Sequence, residues 1–367
     1  MKHLIIRKLG PISQADVCLE RINLIIGTQG SGKSCLLKTA SYCSWVEKRI
    51  EYTQNIERYE NSDVFIKELV AFHRLEGYIK QDTFISYESD FMRFSYDERK
   101  FSFEWKDRWG YRRSKISYIP AERNLVSVIP NWFEVKFEKN NIQDFMADWS
   151  EARTGFEKDT SVLSLGVAYR YDKKTDSDII DVEGNGPISL SCASSGLQSL
   201  IPLYIHLSYL LDGIAENGEK GHKKINLGRQ MEMSALFEKM TGEYSNTKGL
   251  AGKSIEEIAA IRDNYVNNDH YDLFVEEPEE NLFPTTQVHL TRWLIEKLNR
   301  LERNTLFIST HSPYILSTLL QDQVKFTFLC ANETSDGIVI KEVGENEKED
   351  IYRYGVDAFF NIESLAN

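Results

Sequence analysis

The chain has no CxxC pair, no apolar run long enough to cross a bilayer and no excess of positive charge. Its five cysteines, Cys18, Cys35, Cys43, Cys192 and Cys330, are scattered and odd in number. That usage fits a reducing compartment and offers no zinc site. The longest apolar stretch, residues 199–211, falls short of the roughly 20 residues a spanning helix needs. Charges interrupt the short apolar run of MKHLIIRKLG at the N-terminus, so no signal peptide is expected and a cytoplasmic location is. A net charge of −12 argues against a broadly basic, nucleic-acid-coating surface and leaves room for a local basic patch. No internal repeat is visible. What remains is a soluble globular balance, 41 % hydrophobic and 27 % charged over 367 residues, enough for one large domain or two ordinary ones.

Strands are expected at 4–9 and 22–26, flanking a turn at Gly10 and Pro11. Residues 33–80 carry mostly helical spacing. From Phe84 to Ile119 the pattern is that of a β-meander, with Phe101, Phe103 and Trp105 alternating with polar residues. Residues 124–165 are mixed. Strands follow over 166–191 with a turn near 184–187, then a helix at 195–212 that Pro202 would kink. Residues 213–270 are polar, with helical pieces at 229–241 and 254–266. A buried strand (271–276), a helix (285–303), a second buried strand (304–309), a helix (313–321) and strands near 325–331 and 337–343 complete the chain.

Four motifs carry chemistry. Gly27-Thr28-Gln29-Gly30-Ser31-Gly32-Lys33-Ser34 satisfies G-x-x-x-x-G-K-[ST], between an apolar strand and a helix. Such a loop wraps its N–H groups around phosphate, and the helix that follows turns its positive end to the same anion. Lys33 would reach the β- and γ-phosphates of ATP, Ser34 would hold Mg²⁺, and Cys35 at the helix start joins the candidate nucleotide-binding residues. A second GKS, Gly252-Lys253-Ser254, lacks the first glycine, with Thr247 in its place, and lacks a preceding buried strand. The strand Leu273-Phe274-Val275 ends in Glu276 and Glu277; the first suits Mg²⁺, the second a general base on the attacking water. Leu306-Phe307-Ile308-Ser309-Thr310 leads into His311, placed to touch the γ-phosphate. Ser194-Ser195-Gly196 opens a helix, which is a cap and also an anion site.

Together GTQGSGKS, YIPAER, ASSGLQS, LFVEEPEENLFP and STHSPYIL resemble the ABC-type ATPase heads of the SMC, RecF and OLD proteins, most closely the OLD-like branch of AAA ATPases. The resemblance spans nearly the whole chain. It implies an α/β P-loop fold: a mainly parallel core sheet, an antiparallel β-subdomain at 84–123, a helical lobe at 124–212 leading into the signature, and a 213–270 insert that could dock a partner. It makes Ser194, Ser195 and Gly196 a signature motif capping the γ-phosphate of ATP held by another subunit, residues 280–284 a D-loop, and His311 the switch histidine. Residues 118–123 stand where a Q-loop is expected but lack its glutamine, so Arg123 becomes a candidate for phosphate or nucleic acid. Glu276-Glu277 replaces the common Asp-Glu.

Heptads of the length of an SMC arm are missing. Only 56 residues follow His311, so the Toprim domain of OLD nucleases is not expected. The implied protein is an ATPase that forms a homodimer or higher oligomer and serves nucleic-acid surveillance, in antiviral defence or DNA repair, with a separate nuclease or effector protein and no membrane partner. The alternative is a slow, ATP-gated scaffold that holds an effector. A nucleic-acid surface could lie at 99–115, where Arg and Lys alternate with aromatics; a hairpin with one face in the core explains the same pattern.

Overall fold

The computed structural model describes residues 2–60, 63–129, 132–136, 138–215 and 253–354, with positions 231, 235 and 237. The helical piece expected at 229–241 lies almost wholly outside them, as does most of the 213–252 part of the expected insert.

Strands β1 (Lys2–Leu9), β2 (Ile12–Leu19) and β3 (Ile22–Gly27) open the chain. The turn at Gly10 and Pro11 closes a β1–β2 hairpin, so a strand stands where the sequence suggested only a link to β3. Ala15, Val17 and Leu19 alternate onto one buried face, but Ile12 falls out of that step, and Gln14 and Asp16 give the segment the look of a loop. Strands β4 (Ile79–Glu88), β5 (Met92–Asp97), β6 (Lys100–Trp105) and β7 (Ser114–Ile119) follow. Beyond a small sheet come β12 (His270–Glu276), β13 (Thr305–Ser309), β14 (Thr327–Thr334) and β15 (Gly337–Glu342). These strands form one eleven-stranded sheet in the order β6-β5-β4-β1-β2-β15-β14-β3-β13-β12-β7.

This is an α/β P-loop fold whose central run, β14-β3-β13-β12-β7, is parallel throughout. The antiparallel strands β4 to β6 pair onto β1 and continue this sheet, rather than standing apart. β7, at the end of the expected 84–123 unit, pairs in parallel with β12 at the opposite edge. Register depends on distant partners here, which residue periodicity within the segment does not encode. The 124–212 lobe carries the strands expected over 166–191. It holds a four-stranded antiparallel sheet of β8 (Thr160–Ser161), β9 (Val167–Asp172), β10 (Ser177–Val182) and β11 (Gly186–Ser189).

The parallel strands are buried on both faces, as continuous apolar runs require. Ile22, Leu24, Ile26, Leu273, Val275, Leu306 and Ile308 point into one core with the helices Asn141–Arg153, Ser195–Ala215, Pro284–Leu298 and Pro313–Gln321. Ile25, Phe274 and Phe307 point into the other, against the helix Lys33–Thr53. No described helix is long and apolar enough to cross a membrane.

One buried charge fixes the strand that carries the acidic motif. Asp272, 1 % exposed, pairs with Lys2 Nζ at 2.9 Å and accepts from the Thr305 hydroxyl at 2.7 Å. Burial would raise its pKa, but the Lys2 ammonium, His270 and these hydrogen bonds outweigh it and hold the carboxyl well below the usual range. A depressed carboxylate contributes stability above its unfolded pKa of about 3.9 and loses it as pH falls further. Asp272→Asn should therefore flatten the acid limb of the stability curve below about pH 4; thermal melts of both proteins from neutral to acid pH check this.

Candidate functional site

Register places the chemistry. Glu276 pairs with Ser309, and Ser309 with Ile25, so β12, β13 and β3 end together at one edge of the sheet. The three expected motifs leave from those ends: residues 27–34 from β3, Glu276 and Glu277 from β12, His311 from β13.

The loop after β3 is shaped by close approach. A Cβ on Gly27 would lie 2.7 Å from Ser31 Oγ and 2.9 Å from Ala331, so only glycine fits. Gly32 caps the following helix at φ +82°, a conformation other L-residues avoid. Thr28, Gln29 and Gly30 are exposed at the tip, Ser31 is buried, and Ser34 is half-buried on the first helical turn. That turn contains no acidic residue to compete with an anion. Lys33 is buried and its ammonium donates to the carbonyls of Gly27 at 2.9 Å and Thr28 at 2.7 Å. Burial lowers its pKa to about 8, opposed by Glu277 and Glu279. Cys35 departs from the expected set in its side chain. The thiol is buried in the core facing the Leu9 carbonyl, and burial pushes it up to about 12. Helical rotation turns it away from the loop, which leaves only its backbone N–H to serve an anion.

Glu276 is 3 % exposed. Its Oε2 accepts from the Ala121 N–H at 3.3 Å, and its Oε1 is buried without a partner among the described residues. Glu277 has φ +42°, uncommon for any residue but glycine, and its N–H donates to the Ser309 carbonyl at 2.8 Å. Its Oε1 lies 3.7 Å from His311 Nε2, with both side chains partly exposed. Burial and then the Lys33 cation lower the His311 pKa, while Glu277 raises it; the net shift is downward, toward a neutral ring.

Two residues matter here beyond the expected set. Glu279 is half-buried and accepts from the His311 backbone N–H at 2.6 Å, tying the acidic turn to the histidine loop. Its position in a run of acidic side chains made it look like solvated charge. Arg123, a candidate for phosphate or nucleic acid, is turned into the protein interior. Its guanidinium is 0 % exposed and donates to the carbonyls of Glu276 at 2.9 Å and Glu277 at 2.8 Å. Glu122 pairs with Arg74 at 2.6 Å.

Ser194 and Ser195 are exposed at the start of the helix Ser195–Ala215. Gly196 is held close to the acidic turn's continuation: a Cβ there would lie 3.0 Å from the Asn281 carbonyl. Phe283, in the same continuation, is 72 % exposed.

The 99–115 segment runs from β6, which pairs with β5 over the core, to the start of β7 at the opposite edge of the sheet. Phe101 is buried, and Phe103 and Trp105 pack against the same cluster. Arg112 bonds Asn264 and Asp269, Arg113 is buried and donates to the Val266 carbonyl, Lys106 bonds Glu88, and Lys115 bonds Asp148. Arg112→Glu with Arg113→Glu should therefore act on folding. Reversing charges that face Asp269 and a buried carbonyl should cost about 3 kcal/mol or more, read as a lower melting temperature whether or not nucleic acid is added. The other GKS also finds a plain role: Ser254 caps the helix Ile255–Val266 in a capping box with Glu257.

No protein-family model matches the chain, and no curated protein matches it. Solved structures of similar shape include the SMC head domain from Thermotoga maritima, 10 % identical, covering 93 % of this chain and 98 % of that one, with a TM-score of 0.43. An Smc head bound to the C-terminal winged-helix domain of ScpA is 10 % identical over 95 % and 99 % of the two chains, at 0.44. The ADP conformation of an ATP-binding cassette of an ABC transporter is 12 % identical over 98 % and 99 %, at 0.35.

Proposed function

We propose that the chain binds ATP with Mg²⁺ and hydrolyses it at a site completed by a second copy of itself. The observation that carries this reading is the alignment of three strand ends that sets Lys33, the Glu276–Glu277 pair and His311 at one sheet edge. The loop of residues 27–34 and the helix N-terminus behind it would hold the phosphates, with Lys33 turning from its own carbonyls to the β- and γ-oxygens.

Among the described residues no group of three His, Cys, Asp or Glu converges on a metal position. Mg²⁺ does not require one, since it is held by one or two protein oxygens together with phosphates and water. The buried, unpartnered Oε1 of Glu276 and the Ser34 hydroxyl fit that donor set. Bound there, the ion would neutralise charge on the phosphates. Glu277 accepts a proton from the attacking water, and the neutral His311 ring offers a hydrogen bond beside it.

The second copy enters because Ser194, Ser195 and Phe283 lie exposed on adjoining segments, a surface that suits another subunit's nucleotide. The setting in nucleic-acid surveillance, with a separate nuclease or effector, is taken from the OLD-like motifs alone. Turnover that rises with added DNA would support it, and slow turnover indifferent to DNA would favour the ATP-gated scaffold.

Lys33→Ala tests the site itself. It removes a buried cation from the loop and should weaken ATP binding roughly 10–100-fold. Equilibrium titration with a fluorescent ATP analogue measures this, and wild-type affinity in the variant would remove the phosphate-loop assignment.

A further inference from the structure

Arg123 is fully buried, yet among the described residues it has no carboxylate closer than Glu280 at 3.9 Å. Its donors go to backbone carbonyls of three separate segments: Pro120 at 3.4 Å, Glu276 at 2.9 Å and Glu277 at 2.8 Å, and Ser199 at 3.2 Å. A planar guanidinium can span such a set, whereas a point-like ammonium cannot. Two of those carbonyls define the left-handed turn on which the Glu277 side chain is mounted.

Ser199 belongs to the first two turns of the helix Ser195–Ala215, and those turns are cross-linked unusually heavily. Pro202 has no N–H to give the Gln198 carbonyl, and that carbonyl instead accepts from the Ser127 hydroxyl at 2.9 Å. One residue on, Ser199 is held on both sides: its carbonyl by Arg123, its hydroxyl by the Asn281 amide at 3.0 Å. The helix that begins at the exposed Ser195 is thus bonded to the turn that aims Glu277 by the buried Arg123 and to that turn's continuation by Asn281.

We infer that Arg123 and Ser199 form the junction through which the helix opening at Ser195 sets the placement of Glu277. This rests on the ATPase reading above. Both are positioning residues: neither reaches the phosphates, and each acts by fixing the acidic turn against the helix start. A subunit docking at Ser194 and Ser195 would then bear directly on the placement of the general base.

The test is a comparison of nucleotide affinity with turnover in Arg123→Lys and in the milder Ser199→Ala. Arg123→Lys keeps the charge but cannot bridge three segments. The expected result is an ATP Kd within about twofold of wild type and a kcat lowered roughly 10–100-fold, the scale of a small misplacement of a reacting group. Ser199→Ala, which removes the Asn281 bond and leaves the Ser199 carbonyl to Arg123, should lower kcat a few-fold, and the loss in the double variant should fall short of the product of the two single losses, because both bonds hold one junction. An unchanged kcat in Arg123→Lys overturns the inference, as does parallel loss of affinity, turnover and melting temperature, which would make Arg123 a general staple. Should Arg123→Lys not fold, unchanged kcat in Ser199→Ala overturns it equally. Absence of turnover in the wild-type protein would instead remove the ATPase reading on which this one stands.

Discussion

Replacing Glu277 by glutamine should leave ATP affinity near the wild-type value and slow hydrolysis by roughly 10²–10⁴-fold, the range expected for loss of a general base. The amide keeps the size and shape of the side chain and removes only its basicity. The backbone argument makes the outcome specific. Glu277 sits at φ +42°, held there by its N–H on the Ser309 carbonyl and by Arg123 on its own carbonyl. A non-glycine residue in that region costs of order 1–3 kcal/mol and persists only where the surroundings hold it. Glutamine meets the same constraint, so the turn should survive. Glu277→Gly is the useful control: it relieves the backbone strain and removes the base, and should be equally slow but more stable to heat. Single-turnover hydrolysis alongside nucleotide titration separates these effects. Wild-type turnover in Glu277→Gln would move the base elsewhere, with Glu279, tied to the His311 backbone, the first carboxylate to examine. In the slow variant ATP should persist long enough to accumulate an ATP-bound dimer, visible by size-exclusion chromatography with light scattering.

What could be read from the sequence was chemistry that lies in contiguous residues. The run from Gly27 to Ser34, the acidic pair and the histidine each follow an apolar strand, and a strand end is where a parallel sheet presents its loops. Their convergence, however, depends on the register of β12, β13 and β3, which is set by pairings between segments far apart in the chain, Leu306 with Ile22 among them. The same non-locality hid the rest. Arg123 in YIPAER reads as a candidate for phosphate or nucleic acid, and only its contacts with the helix Ser195–Ala215 and the acidic turn make it a buried bridge. Glu279 reads as one of several solvated acids until the His311 loop closes on it. The strand β2 carries too many polar residues to be recognised without its partners β1 and β15. For Arg123 and Glu279 a charged residue is enclosed by the fold, where composition rules assign it to water.

Ser194→Arg should preserve ATP binding by the single chain and reduce hydrolysis by at least about 10²-fold, the scale of losing one transition-state donor. The three aligned strand ends approach a nucleotide from one side, leaving the developing charge on the γ-phosphate to be met from the other. The helix starting at Ser195 has the groups to do so: free N–H donors in its first turn and the positive end of its dipole. Its first residues are exposed, and beside them stands Phe283, 72 % exposed, which a second chain would cover. Arginine at 194 adds bulk on that open face without entering the protein interior. Gly196 is the poorer site for such a test. Any side chain there begins 3.0 Å from the Asn281 carbonyl of the same chain, so loss of activity would mix a blocked interface with a displaced turn. Complementation then decides between a shared and a private site. In a mixed dimer of Lys33→Ala and Ser194→Arg chains, one composite site carries both lesions and the other carries neither. Partial activity should return on mixing two chains that are each inactive. Mixed dimers that form and stay inactive, or isolated single chains that hydrolyse ATP at the full rate, would show that each chain completes its own site and that the Ser195 helix serves only to hold Glu277 in place.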